Sequence, residues 1–153
     1  MQLTMVVECN HSSGEMTLMV QVASLRRLLA RRLTQMLGEQ TSRPLAQLVT
    51  LKFIAVEGVR SQVALAERMM VDAPAVSRMV DRLEEDGLVK RCAGEDRRCV
   101  RLESTPASQK ELELLEACEH KLEDEARQHL TAAEMRELKR LVEKLQTGLM
   151  QQE

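Results

Sequence analysis

Ala75, Ser77, Arg78 and Arg82 share one side of a stretch whose other side is Val76, Met79, Val80 and Leu83. The four apolar residues stand at i, i+3, i+4 and i+7, the spacing of a single helical face. Small side chains at Ala75 and Ser77 allow the backbone of such a helix to approach another surface closely. The guanidinium of Arg78 can donate two parallel hydrogen bonds to O6 and N7 of a guanine edge, and Arg82, one turn later, can meet a phosphate. Between residues 87 and 101 follow Lys90, Arg91, Arg97, Arg98 and Arg101, opposed only by Glu95 and Asp96. A basic stripe of this kind suits a polyanion, and Arg97 or Arg98 at a hairpin tip suits a narrow minor groove. Catalysis is not indicated, since the chain has no Gly-rich phosphate loop, no nucleophile motif and no tight cluster of metal ligands. Neither a cofactor nor a metal ion is expected.

Placing those side chains requires a short helix, a tight turn, a second helix and a hairpin, and the local signals supply each. Ser61 can cap a helix over Gln62–Met69, and Asp72 can cap another from Ala73 to Asp86, with Pro74 in its first turn and Gly87 as its stop. Periodicity then changes, and Leu88–Cys92 and Cys99–Glu103 read as two strands joined at a basic tip. Upstream, a long helix is expected over Glu15–Leu37, ended by Gly38, and a second over Pro44–Val56, closed by Gly58. Downstream, Thr105 and Pro106 open a helix with Leu112, Leu115, Leu122 and Ala126 near one face. Thr131 and Glu134 then form a capping box for a last helix carrying Met135, Leu138, Leu141, Val142, Leu145 and Leu149.

The expected fold is mainly α with a small β-hairpin wing: a winged helix-turn-helix lobe over residues 43–106, and a helical dimerisation region over 15–42 and 107–153. Residues 1–14 form an N-terminal arm. The long flanking helices carry more apolar surface than the lobe can cover, and a second copy of the chain is the simplest cover. Composition agrees with helix packing. Phe53 is the single aromatic among 153 residues, against ten Met, so the core must be Leu, Val, Met and Ala. The formal net charge of −2 does not exclude a polyanionic partner, because the acidic excess lies after residue 102. The N-terminus lacks a basic stretch followed by an apolar core, and no apolar run approaches membrane-spanning length. A cytoplasmic protein without a membrane partner is expected, with four thiols reduced by default.

The run VSRMVDRLEEDGLVKR from Val76 to Arg91, with Asp96, Arg97 and Arg98 and then Leu102 to Thr105, resembles the signature of the MarR family of winged helix-turn-helix regulators. The resemblance follows helix order over residues 15–150 and is specific over 61–106. It implies a triangular homodimer with intertwined termini that binds a short palindrome in double-stranded DNA and usually represses nearby genes. On the family pattern, Ser61, Gln62, Ala75, Ser77 and Arg78 become groove contacts and Arg97 the wing contact, with Asp96 bracing the wing through an arginine. Pro74, Ala75 and Ser108 depart mildly from that pattern, which bears on sequence preference and not on the fold.

Family members respond to aromatic acids, oxidants or metals, and the four thiols Cys9, Cys92, Cys99 and Cys118 are the candidates for an oxidant response. Cys118 shares the buried face of its helix with Leu115 and Leu122, and Cys9 on the arm of the other subunit is its possible disulfide partner. That arrangement resembles the two-cysteine hydroperoxide sensors of the family, although Cys9 falls upstream of their reactive position. A hairpin pairing Cys92 directly with Cys99 offers a second bridge, with Val89 facing Leu102 and with arginines that favour thiolate nearby. Cys9 and His11 share a Cys-x-His spacing with Cys118 and His120, but on a helix two-apart residues point away from each other. A ligand pocket between lobe and dimer helices is the remaining route, with Arg26, Arg27 or Arg31 available to an acid. The competing class is a winged-helix protein-interaction module that never touches DNA; it would not need two arginines at the wing tip.

Overall fold

The computed structural model describes residues 16–94 and 100–151. In chain order these form α1 (Leu18–Gly38), α2 (Leu45–Ala55), α3 (Gln62–Met69), α4 (Ala73–Glu85), β1 (Val89–Ala93), β2 (Val100–Ser104), a 3-10 turn (Pro106–Ser108), α5 (Gln109–Ala126) and α6 (Ala132–Met150). The expected arm, with Cys9 and His11, and the wing residues Asp96, Arg97, Arg98 and Cys99 lie outside the described residues.

The helix starts follow their caps. Thr17, Ser61, Asp72 and Thr131 each accept a backbone N–H from the first turn, and Thr131 with Glu134 completes the reciprocal box. Thr17 therefore starts α1 at Leu18, three residues after the expected Glu15. The turn between α3 and α4 is made by Met70 at φ 53, a left-handed conformation rare for a side chain other than Gly. Gly87, at φ 73, closes α4. Leu88 is consumed by the same turn: its N–H donates to Leu83 O at 2.9 Å. For that reason β1 begins at Val89, one residue later than expected.

The two strands pair antiparallel, with Val89 opposite Ser104, Arg91 opposite Leu102, and Cys92 opposite Arg101. The expected Cys92–Cys99 pairing is thus not the register adopted. Burial of Val89 and Leu102 on the inner side fixes the pleat, and the Leu102 N–H is held by Arg60 O at 2.8 Å. A slip would lose both.

One core lies inside the lobe, where Leu51, Ile54, Leu65, Val76, Val80, Leu83, Val89 and Leu102 meet, with Phe53 against its edge. Each such Leu or Val contributes about 1.5–3 kcal/mol relative to exposure. A second cluster of Leu33, Leu37, Leu48, Leu115 and Cys118 joins α1, α2 and α5. It fastens the lobe to the long helices. The remaining apolar faces of α1 and α6 are uncovered: Leu25, Leu28, Leu138, Leu141, Val142, Leu145 and Leu149 are all exposed in the single chain. No described helix is long and apolar enough to cross a membrane.

Candidate nucleic-acid interface

α4 turns a fully buried stripe, Val76, Val80 and Leu83, towards the lobe core. That stripe forces the residues between its members outward. Asp72 Oδ1 accepts the Ala75 N–H at 2.7 Å, so the helix starts cleanly and Ala75 stands in its first turn. Ala75 and Ser77 are half-buried, and Arg78 is exposed. Among the described residues Arg78 makes no ion pair. Its guanidinium is therefore free to meet a partner's acceptors.

Arg82 is exposed and more loosely held, with Nη1 at 3.3 Å from Glu85 and Nε at 3.8 Å from Asp86. Exposed pairs of this length contribute little, so a phosphate can displace them. Ser61 caps α3 by accepting the Ala64 N–H at 3.2 Å. Its hydroxyl proton remains available to a phosphate oxygen. Gln62 follows as the first helical residue, half-buried.

At the base of the hairpin, basic side chains of the stripe pair with carboxylates. Arg91 bridges Glu84 and Asp81, the latter at 2.6 Å, and its backbone N–H donates to Glu84 Oε1 at 3.0 Å. These contacts hold the Glu84 carboxyl below its ordinary value, the backbone N–H most of all. Glu103 sits between Lys90 at 3.2 Å and Arg101 at 3.6 Å. Arg91 is thus a brace that fastens β1 to the exposed flank of α4. The brace spans two elements and has no periodic signature, so local spacing could not reveal it.

Among the thiols, Cys118 is buried between α1, α2 and α5, with Gln40 Nε2 at 3.8 Å from its sulfur. Cys92 is half-buried and its Sγ lies 3.6 Å from Glu103 Oε2. A carboxylate is thus a polar partner of this thiol, although Arg101 pairs across from it in the ladder. His120 is exposed, 3.7 Å from Glu116, on the side of α5 away from Cys118. Among the described residues no three His, Cys, Asp or Glu side chains gather as metal ligands.

A cleft of about 370 Å³ separates α2 from α5, walled by Lys52, Val56, Leu112, Glu116, Glu119 and His120, among others. Lys52 and Glu119 pair across it at 2.6 Å. Arg26, Arg27 and Arg31 are not part of its wall.

The MarR family model matches residues 44–100. The chain is similar to the apo form of MarR from E. coli, at 26% identity and a TM-score of 0.74 over 87% of this chain and 98% of that one. It is also similar to the transcriptional regulator BldR from Sulfolobus solfataricus, at 29% identity and a TM-score of 0.72 over 88% and 93%. The MepR–DNA complex of S. aureus shares the fold at 21% identity, with a TM-score of 0.71 over 88% and 99%.

Proposed function

We propose, from the match to the MarR family model over residues 44–100 and the likeness to MarR from E. coli, that the chain is a non-enzymatic, sequence-specific transcription regulator of that family binding double-stranded DNA. The observation that carries this reading is the outer face of α4. Ala75, Ser77 and Arg78 occupy its first turns, and Arg78 is exposed with no ion pair to any described residue. A helix of that width fits the major groove, with Ser61 and Gln62 at the start of α3 as further groove contacts. Arg97 and Arg98 carry the proposed minor-groove contact.

The acting form is a homodimer on a palindromic operator. The uncovered apolar faces of α1 and α6 support it, together with a groove of about 510 Å³ that Leu25, Leu29, Leu122, Met135, Leu138 and Val142 line between α1, α5 and α6. A second copy covers these faces. Repression of nearby genes in the cytoplasm, relieved by an effector, completes the proposal.

Salt dependence tests the DNA reading. A duplex from the region upstream of the protein's own gene is titrated with reduced protein. Affinity should fall by on the order of 10³ between about 50 and about 200 mM salt, the behaviour of several phosphate contacts. Absence of duplex affinity at low salt would instead leave the interaction-module reading.

Control through cysteine oxidation requires that Cys118, 1% exposed, be uncovered before Cys9 of the partner chain reaches it. Peroxide should then release DNA from the wild type and leave a Cys9→Ser, Cys118→Ser double variant bound. Release from the double variant as well would exclude that bridge. The α2–α5 cleft supports the alternative, a small ligand held between the lobe and the long helices.

A further inference from the structure

α4 belongs to the DNA-reading lobe and α5 to the long helices, and Arg43 is where they meet. It lies in the linker ahead of α2, with its backbone N–H donating to Thr41 Oγ1 at 3.1 Å. Its Nη1 donates to Gln47 Oε1 at 3.1 Å and to Asp86 Oδ2 at 2.7 Å. Asp86 is the residue that caps the C-terminal end of α4, and its carboxyl is held below the ordinary value chiefly by the Arg43 hydrogen bond. On the other side, Arg43 Nε stands 3.7 Å from Glu111 Oε1, in the first turn of α5.

The two halves of this contact are unequal. Towards α4 the guanidinium makes a short hydrogen bond; towards α5 it has charge proximity alone. Arg43 Nε and Glu111 Oε2 are both buried, and neither finds a hydrogen-bond partner among the described residues. Buried polar groups normally have partners. Here two that lack them face one seam, and a shift of about 0.5–1 Å would bring donor and carboxylate to hydrogen-bond length. A joint satisfied on one side, with a second position this near, transmits small movements of one helix to the other.

We infer that Arg43 is the positioning residue that sets the reading helix against α5, and so fixes the separation of the two reading helices in the dimer. The inference rests on the dimeric DNA-binding reading above. It assigns Arg43 no contact with DNA. Its planar fork serves Asp86 and Glu111 from different edges, which the point charge of a lysine cannot do.

The test uses a duplex that the full-length wild type selects from a random pool, the same duplex with one base pair inserted or removed between half-sites, and a duplex carrying one half-site. The variants are Arg43→Lys and the isosteric Glu111→Gln, with Arg140→Ala as a control on the exposed face of α6. Wild type and control should discriminate strongly against altered spacing. Arg43→Lys and Glu111→Gln should each reduce that discrimination by about tenfold, a typical coupling, while affinity for the single half-site stays unchanged. Unchanged discrimination in both variants, or an equal loss on every duplex, would overturn the inference. A wild type that selects no duplex would overturn the DNA-binding reading itself, and that outcome is distinct from either of the others.

Discussion

Arg78 differs from the other basic side chains of the described lobe in being exposed on the reading face without a carboxylate neighbour. Arg78→Ala is expected to cost about 1–3 kcal/mol of specific affinity and to relax the preference at one base position, since the lost pair is bidentate. Arg78→Lys should restore charge without restoring that preference. Arg82→Ala should weaken all duplexes alike and lower the salt slope by about 1. Competition titrations over a set of single-base operator variants separate the two. Arg91 belongs to a different class, because its charge is spent on Glu84 and Asp81. Since Glu84 is held below its ordinary value, the stability it adds is present above its unfolded pKa and is lost as pH falls through the lowered one. Glu84→Gln should therefore lower the urea midpoint at pH 7. The deficit should shrink on acidification as the wild type loses the same contact.

The elements of the lobe follow from short-range signals wherever a cap or a glycine stands beside an apolar stripe. Ser61 with Gln62–Met69 was legible to the residue, and Asp72 with the stripe of Val76, Met79, Val80 and Leu83 was legible but for Met79, which is half-buried, and for the helix end, which falls at Glu85 and not Asp86. The capping box at Thr131 was legible for the same reason. The hairpin was legible as a hairpin, but its register was not: Leu88 is claimed by the α4 terminus through Leu83, a backbone choice with no signature in side-chain spacing. Long-range pairs were invisible too. Arg43 and Asp86 are far apart in sequence, and Arg91 looked like one more cation in a basic run.

Two predictions sit at the scale of elements. Asp72→Ala should destabilise the lobe by about 1 kcal/mol through loss of the α4 cap. Asp72→Asn should keep the cap and strengthen duplex binding, because it removes a negative charge from the helix end nearest the phosphates. Met70, 93% exposed at φ 53, is strained without compensating contacts, so Met70→Gly should raise stability by about 0.5–1 kcal/mol. Urea unfolding of each variant beside a duplex titration checks both.

For the molecule as a whole, the proposed reading gives the exposed faces of α1 and α6 to assembly and the lobe to DNA. Glu substitutions at both Leu141 and Leu145, which are 47% and 44% exposed in the single chain, place charge in the middle of the proposed dimer face. Sedimentation should show the mass halved relative to wild type, with helicity of the lobe retained and operator affinity lost. The flanking helices were legible as amphipathic. How they join the lobe, through Cys118, Leu115 and Leu48, emerged only in three dimensions. Whether two copies present two α4 helices to one duplex is read out by selecting from a random pool of duplexes with the reduced wild-type protein. A dimer of this kind enriches an inverted repeat with half-sites about one helical turn apart, centre to centre. Enrichment of a single unrepeated site, or of no sequence at all, would contradict that arrangement.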